Sequence, residues 1–558
     1  MTDRAPSYMH GASDLAMIGD TIGVHFDRTV ARYGDRPALI VHQQGVNWTW
    51  AELAAHVEAF AAGLVAIGLQ PGERIGIWSP NNAEWVVTQF ATAKAGLILV
   101  NINPAYRLSE VEYALNKVGC KALVTATRFK TSDYIGMINT LAPELPIARP
   151  GELHAKRLPA LRAVIQIGGD DPGTFAFDKI AHHGRKVDRA RLRELAPLLQ
   201  FDDPINIQFT SGTTGQPKGA TLTHHNILNN GFFIGEVMHY SDQDKVCIPV
   251  PMYHCFGMVI GVLACMTHGA AIVFPGEGFD PLATLQTVAE YRCTSLYGVP
   301  TMFIAELDHP EFGRFDLTSL RTGMMAGAPC PMEIMRRCIR DMHLTEMTIG
   351  YGMTETSPVS TQTRIGDSLE KQVGTVGRPH PHLEVKIVDA EGRIVPRGMT
   401  GEFCTRGYSV MLGYWDDTER TAEAIDRAGW MHTGDLATMD DDGYCAIVGR
   451  IKDLVIRGGE NVYPREIEEF LYQHPAIVDV QVFGVPDQRF GEELCAWIKV
   501  RAGETLTEDD VKAFCRDQIA HYKVPRYVRF VEEFPMTVTG KMQKFLMRAT
   551  MAEELGSN

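Results

Sequence analysis

The chain has 558 residues and a mass of 61.8 kDa, with 45% hydrophobic and 22% charged residues. That excludes a disulfide-stapled miniature fold and wholesale disorder, and leaves room for three or four domains' worth of core. A net charge of −15 removes any global attraction to nucleic acid or to an anionic membrane surface.

The first third alternates strand-like and helix-like segments. Pro37–Val41 is a short apolar run, and Thr49-x-x-Glu52 has capping-box spacing at the head of an apolar-periodic helix reaching about residue 68. Strands are predicted over 74–78, 97–101 and 121–125. Helices are predicted over 82–96 and from Ser109, where Ser109-x-x-Glu112 again has the capping spacing. Such alternation argues for parallel sheets covered on both faces. Residues 131–200 are Pro- and Arg-rich with weak periodicity and read as irregular surface with one or two helices. Strands resume at 205–210, 245–249, Ala271–Phe274 and 296–298. Gly- and Pro-rich β pieces follow at Leu383–Val388 and 401–406. The tail changes texture: a Gly458-Gly459 turn, a helix from Pro464, strands near 478–483 and 494–500, and a helix over 507–519 make a compact α+β unit.

Eleven scattered cysteines include no C-x-x-C pair, which suits reduced structural thiols rather than zinc or disulfides. The N-terminus lacks a signal-type apolar core, and apolar runs such as 260–266 are too short to span a bilayer. The expectation is a soluble, cytoplasmic protein without an integral membrane segment.

The most informative run is Phe209-Thr-Ser-Gly-Thr-Thr-Gly-Gln-Pro-Lys-Gly219. It follows an apolar strand and gathers three glycines, the hydroxyls of Thr210, Ser211, Thr213 and Thr214, and Lys218. Glycines, hydroxyls, backbone N–H groups and a lysine form a phosphate-binding inventory. Gln216 and Pro217 separate Gly215 from Lys218, so the run is not a Walker A loop and a P-loop NTPase is disfavoured.

The run resembles the signature of the adenylate-forming superfamily, which contains acyl-CoA synthetases, carrier-loading adenylation domains and firefly luciferases. The resemblance continues, in the family's order, through Pro251-Met-Tyr-His254, Ala326-Gly-Ala-Pro329, Tyr351-Gly-Met-Thr-Glu355, Thr433-Gly-Asp435, Gly449-Arg-Ile-Lys-Asp453, Gly458-Gly-Glu-Asn461 and Thr539-Gly-Lys541. Stretches such as NINPAY and RGYSVMLGYW are most similar to medium-chain fatty acyl-CoA synthetases of the family member 2 type.

The resemblance implies an α/β fold. A large N-terminal domain (1–451) would hold two αβαβα-type subdomains and a small β-barrel subdomain. A smaller mobile C-terminal α+β domain (452–558) would follow, with its hinge near Lys452. It implies a carboxylic acid, ATP with Mg²⁺, and coenzyme A as reactants: acyl-adenylate and pyrophosphate form first, then acyl-CoA and AMP. Homodimers are common among such enzymes.

By the same resemblance, Thr210, Ser211, Gly212, Thr213, Thr214, Gly215 and Lys218 cradle the β- and γ-phosphates. Glu355 is the Mg²⁺ ligand, and Thr354 meets the α-phosphate or acyl carbonyl. Tyr351 stacks on adenine between Gly350 and Gly352, with Met353 alongside; Gly327, Ala328 and Pro329 line the other ring face. Asp435 accepts from the ribose hydroxyls, with Arg450 on ribose or phosphate or in a structural salt bridge. Lys541 is the adenylation lysine. His254 gates the acid side; no general base is needed because the acid is already ionised at neutral pH. Gly458 and Gly459 line the pantetheine tunnel, and Lys523, Arg526 and Arg457 are candidates for the coenzyme A phosphate.

The apolar segment 255–266, with Phe256, Gly257, Val299 and Met325, is a candidate tunnel for an alkyl chain, although plain core packing explains most of these positions equally well. Three alternatives stay open: an aryl-acid ligase, a carrier-loading enzyme, and a non-catalytic binder of acyl or adenine nucleotides.

Overall fold

The computed structural model describes residues 4–210, 217–328, 330–458, 460–516, 518–537 and 542–556. Three sheets build the large N-terminal part.

The first has eight strands in the order Phe175–Ala176, Ala163–Ile167, Ala122–Ala126, Arg74–Trp78, Ile98–Asn101, Pro204–Thr210, Lys218–Thr223 and Gly413–Tyr414. Pairing is parallel up to Pro204–Thr210 and antiparallel beyond it. The phosphate-loop run therefore closes a hairpin at the antiparallel edge. The second sheet has nine strands, from Arg378–Pro379 through Val359–Gln362, Glu346–Gly352, Thr322–Met325, Ser295–Gly298, Lys245–Cys247, Ala271–Phe274 and Pro37–Val41 to Val46–Thr49.

Helices fill the space between these two sheets. Trp50–Ala66 opens with the predicted capping box: the Glu52 N–H donates to Thr49 Oγ1 at 3.2 Å, and the Thr49 N–H donates to Glu52 Oε2 at 2.8 Å. Ala83–Ala95 is capped by Asn82, which accepts from the Trp85 N–H, and ends at Gly96 with φ +67°. Thirteen residues with apolar side chains on nearly every face suit a helix buried between two layers. One cluster joins Ile75 and Leu99 of the first sheet to Leu39, Phe274 and Tyr297 of the second through Phe26, Trp85 and Phe90. Truncating a large aromatic in such a core costs about 3–5 kcal/mol, so this shared layer fixes the two sheets to one another.

The structure corrects two expectations. Residues 131–200 hold helices as expected, Tyr134–Leu141 and Lys186–Leu195, but also a strand that was not expected, Ala163–Ile167, all five residues buried and paired in parallel with Ala122–Ala126. Flanking arginines and prolines hide this short apolar run from a periodicity reading. The helix predicted from Ser109 starts at Leu108, and Glu110, not Glu112, reaches back to the Arg107 N–H at 2.8 Å. The small β subdomain, for which a barrel or a sheet was expected, is a five-stranded antiparallel sheet ordered Tyr8–His10, Leu383–Val388, Gly401–Gly407, Met431–Met439 and Cys445–Arg450.

A one-turn segment, Ile451–Asp453, leads from that sheet into the tail. There Ile477–Asp487 and Gly491–Val500 form a long hairpin, flanked by Val455–Arg457, Glu460–Val462 and Tyr527–Phe530. One hairpin face packs Ile467, Leu471 and Val511; the other packs Phe534, Met547 and Met551 of the final segment. The tail thus owns two small cores. Among the described residues, no helix is long and apolar enough to cross a membrane.

Candidate active site

Thr210 and Lys218 face each other across the edge hairpin and bracket the loop between them. Ser211, Gly212, Thr213, Thr214 and Gly215 lie outside the described residues, as do Pro329, Gly459 and Lys541.

Lys218 has a specific seat. Its Nζ donates to the Tyr414 hydroxyl at 3.0 Å and lies 4.3 Å from the centre of that ring. The Tyr414 hydroxyl donates in turn to Glu355 Oε1 at 2.8 Å. Tyr414 reaches this point because Gly413–Tyr414 adds to the sheet edge, with Tyr414 opposite Ala220. Burial first, and then the charge of Glu355, push the phenol well above its usual range, so it remains a donor. Glu355 is 4% exposed, and among the described residues it has no ion-pair partner. Its carboxylate is linked to the Lys218 ammonium only through the Tyr414 hydroxyl, and a hard oxygen donor of this kind suits Mg²⁺.

A second linked set lies at the end of the Glu346–Gly352 strand. The Tyr351 hydroxyl donates to Asp435 Oδ2 at 2.7 Å, and Arg450 Nε meets Asp435 Oδ1 at 2.9 Å. Asp435 and Arg450 are direct partners in the antiparallel ladder, so register alone brings them together. Burial, followed by the Asp435 charge, raises the Tyr351 phenol. The glycines flanking Tyr351 are also required by packing, although Gly352 is itself exposed. A Cβ on Gly350 would sit 2.8 Å from Met324 Sδ, and one on Gly352 would sit 1.8 Å from the Pro358 carbonyl oxygen. Gly327 differs: it is exposed, its φ is +84°, and an added Cβ would meet only a Val299 methyl at 3.3 Å. Ala328 and Met353 beside these glycines are partly exposed.

Thr354 is 8% exposed, and nearby the Cys255 Sγ donates to Gln208 Oε1 at 3.1 Å. Gln208 continues into a buried polar ladder: its amide donates to Asn206 Oδ1 at 2.9 Å, and Asn206 donates to Asn101 Oδ1 at 3.0 Å. Asn101 then donates to the Tyr253 carbonyl at 3.0 Å. This chain fastens the loop carrying His254 to the first sheet. His254 is partly buried, and its Nδ1 accepts from the Phe256 N–H at 3.2 Å.

The predicted apolar helix is a π-helix, Phe256–Leu263, continuing as Ala264–His268. Phe256 and Val299 share a cluster with Tyr297, Met302, Met324 and Ala326. Met325, expected beside them, lies in the other core cluster with Leu296, Phe303 and Met347. Adjacent strand residues point to opposite faces, so Met324 is the methionine on the Phe256 side. Gly257 is required by close packing, since an added Cβ would lie 2.5 Å from the Pro251 carbonyl oxygen.

In the tail, Lys452 occupies the Ile451–Asp453 turn. Gly458 is exposed with φ +59°, and its N–H donates to the Phe490 carbonyl at 2.8 Å. The three basic candidates for the coenzyme A phosphate all carry carboxylate partners. Arg457 makes a two-pronged bond to Glu493 at 2.7 and 2.8 Å, Arg526 meets Asp487 at 3.1 Å, and Lys523 meets Glu466 at 2.5 Å. Lys544 is held by Glu468 at 2.6 Å.

Three neighbours of this constellation went unassigned in the sequence: Tyr414, Gln208 and Cys255. The only signal was a polar side chain interrupting an apolar run, or an aromatic after a glycine.

The architecture is that of adenylate-forming enzymes. The chain superimposes with a TM-score of 0.85 on the anthranilate CoA ligase AuaEII bound to anthranoyl-AMP, at 26% identity and covering 97% of this chain and 99% of that one. The score is 0.82 for ATP-bound MatB from Rhodopseudomonas palustris, at 28% identity and 96% and 99% coverage. The family model described as AMP-binding enzyme matches residues 26–415, and that of the AMP-binding enzyme C-terminal domain matches 466–541. The chain belongs to the AMP-binding enzyme family. It is 49% identical over 553 residues to the mitochondrial medium-chain acyl-CoA ligase ACSF2 of Danio rerio, covering 99% of this chain and 91% of that one. It is also 49% identical to the putative acyl-CoA synthetase YngI of Bacillus subtilis, covering 96% and 98%, and 43% identical to human ACSF2, covering 98% and 90%.

Proposed function

We propose that this chain is an AMP-forming ligase that joins medium-chain fatty acids to coenzyme A. The carboxylate attacks the α-phosphorus of ATP, giving acyl-adenylate and releasing pyrophosphate. The coenzyme A thiol then attacks the acyl carbon, loses its proton, and expels AMP. AMP is a stabilised leaving group where oxide is not. The site's task is to offset crowded negative charge and align two anions.

The observation that carries this reading is the bonded chain from Lys218 through the Tyr414 hydroxyl to the buried Glu355 carboxylate. Thr354 lies buried in the same one-turn segment as Glu355. An acid whose tail lies along Phe256, Tyr297 and Val299 brings its carboxylate to that point.

Lys218, held on Tyr414, meets the polyphosphate. Glu355 is the residue that would hold Mg²⁺, which when bound neutralises phosphate charge. Asp435, oriented by Tyr351 and Arg450, accepts from the ribose hydroxyls. Lys541 stabilises charge between carboxylate and α-phosphate during adenylation. Domains 1–451 and 452–558 then change their relation about Lys452, and the Gly458–Gly459 segment admits pantetheine. Polar contacts among the described residues cross that boundary at Arg465 Nη1 to the Ile447 carbonyl, 2.8 Å, and at Arg501 to Asp308, 4.0 Å, and such a motion would break and remake them. All eleven cysteines are free and buried, which suits a reducing cytoplasm.

The test is thioester formation over a panel of straight-chain, branched and aryl acids, with AMP and pyrophosphate followed together. A maximum at medium-chain acids with AMP release supports the proposal. A maximum at benzoate-type acids moves the assignment to an aryl-acid ligase. Pyrophosphate without thioester moves the acceptor to a carrier protein.

A further inference from the structure

Away from the nucleotide side chains, the five-stranded sheet carries a cluster that the proposed reaction does not use. Glu402 and Cys404 are two apart on Gly401–Gly407 and so share one face. His432 is the direct ladder partner of Cys404 on Met431–Met439. His432 Nδ1 lies 2.8 Å from Glu402 Oε2 and 3.5 Å from Cys404 Sγ, and the three ligand atoms all lie within 4.8 Å of one another.

We propose that Glu402, Cys404 and His432 form a binding site for a thiophilic divalent cation of the Zn²⁺ class. With Zn–S near 2.3 Å and Zn–N near 2.0 Å, tetrahedral geometry separates sulfur from nitrogen by about 3.5 Å. That is the observed Cys404–His432 spacing. The Glu402 oxygen must withdraw by about half an ångström, because tetrahedral nitrogen and oxygen ligands stand roughly 3.3 Å apart.

The surroundings favour such an ion. On the far side of the imidazole, Nε2 lies 3.7 Å from Asp426 Oδ2. Asp426 is itself fixed by the Ala428 and Trp430 N–H groups at 2.8 and 2.9 Å. A carboxylate hydrogen-bonded to the non-ligating nitrogen sets the tautomer and the ring orientation of a metal-bound histidine; Asp426 stands beyond that distance and must close by about 0.8 Å to do so. Entry is open from the imidazole side: the His432 and Glu402 side chains are 30% and 21% exposed, whereas Cys404 is fully buried. A thiolate is the form that ligates, so binding releases the thiol proton to water and moves the imidazole proton to Nε2, on the Asp426 side. Thiolate, carboxylate and a divalent ion then sum to zero charge. One coordination position stays open to water.

Glu402 Oε1 also accepts the Gly434 N–H at 3.1 Å. An ion here would brace the turn immediately before Asp435, so occupancy is expected to raise heat stability.

The experiment titrates the metal-stripped full chain with Co²⁺, without ATP or Mg²⁺, and follows absorbance. The proposal predicts tetrahedral cobalt bands with a thiolate charge-transfer band, saturating at one ion per chain and reversed by Zn²⁺. Cys404→Ser removes the charge-transfer band, and Asp426→Asn weakens binding by about 10- to 100-fold. A wild-type chain without the band, or a band that survives Cys404→Ser, overturns the proposal. Neither result bears on acyl-CoA synthesis, which is read separately.

Discussion

The nucleotide side of the large domain and the C-terminal unit are built on different plans. In the large domain, side chains from five strands and the Thr354–Thr356 turn are bonded in two sets before any substrate arrives: Lys218 to Tyr414 to Glu355, and Tyr351 to Asp435 to Arg450. Tyr414, Glu355 and Asp435 are each under 10% exposed. In the C-terminal unit, the basic residues nearest the expected tunnel are tied to their own domain's carboxylates. The large domain therefore holds preorganised charge, whereas the small one contributes by where it is placed. Preorganised groups lose rate when a bond is cut; placed groups lose one step and spare another.

The largest effect short of the small domain is expected at Glu355. Glu355→Gln keeps an acceptor for Tyr414 but removes the negative charge, and should lower adenylation by about 10²–10³-fold, measured as pyrophosphate release against Mg²⁺ concentration. Asp435→Asn leaves Arg450 without its partner. It should lower kcat/KM for ATP by about 10- to 100-fold, matching the 1.5–3 kcal/mol of a charged hydrogen bond, with little change in KM for the acid. If instead the acid KM rises with it, the two linked sets are not separable.

Acid should loosen the large domain first. His224 is 1% exposed, caps the Ile22 N–H through Nδ1, and is lowered by burial from 6.5 to about 3. Between those values the unfolded chain binds a proton that the folded chain refuses, so stability falls as pH falls through that window. The loss is about 2 kcal/mol between pH 6.5 and 5, read from urea midpoints; His224→Gln should flatten it. The smallest effect is expected for Tyr414→Phe, which keeps the ring under Lys218 but removes the hydroxyl from Glu355. A loss of about 1–2 kcal/mol, or 5- to 30-fold in adenylation, follows from one buried acceptor left unpaired. An unchanged rate would show that Lys218 does not need its seat.

Much of this was legible in the sequence, for physical reasons. Asn82 and Gly96 mark their helix by capping chemistry, and Arg74–Trp78 stands out as an apolar run between turns. The motifs around Glu355 and Asp435 fixed which residues gather, because the strand ends that carry them are close in sequence to glycine turns. What was missed depends on partners far away in the chain. Ala163–Ile167 is a strand only because Ala122–Ala126 lies beside it. Gly350 and Gly352 have close neighbours in Met324 and Pro358 that the motif does not reveal. Tyr414 gains its place only when Gly413 pairs with Thr221. Met325 and Met324 exchange roles because strand alternation, unlike motif order, decides which side chain faces the Phe256 cluster.

The contrast between preorganised and placed charge is tested most directly by Lys541→Ala with the two half-reactions measured apart. Pyrophosphate release from ATP and acid should fall by at least about 10²-fold, while thioester formation from supplied acyl-adenylate and coenzyme A stays within a few-fold of wild type. Equal loss in both steps, or no loss in the first, would contradict it.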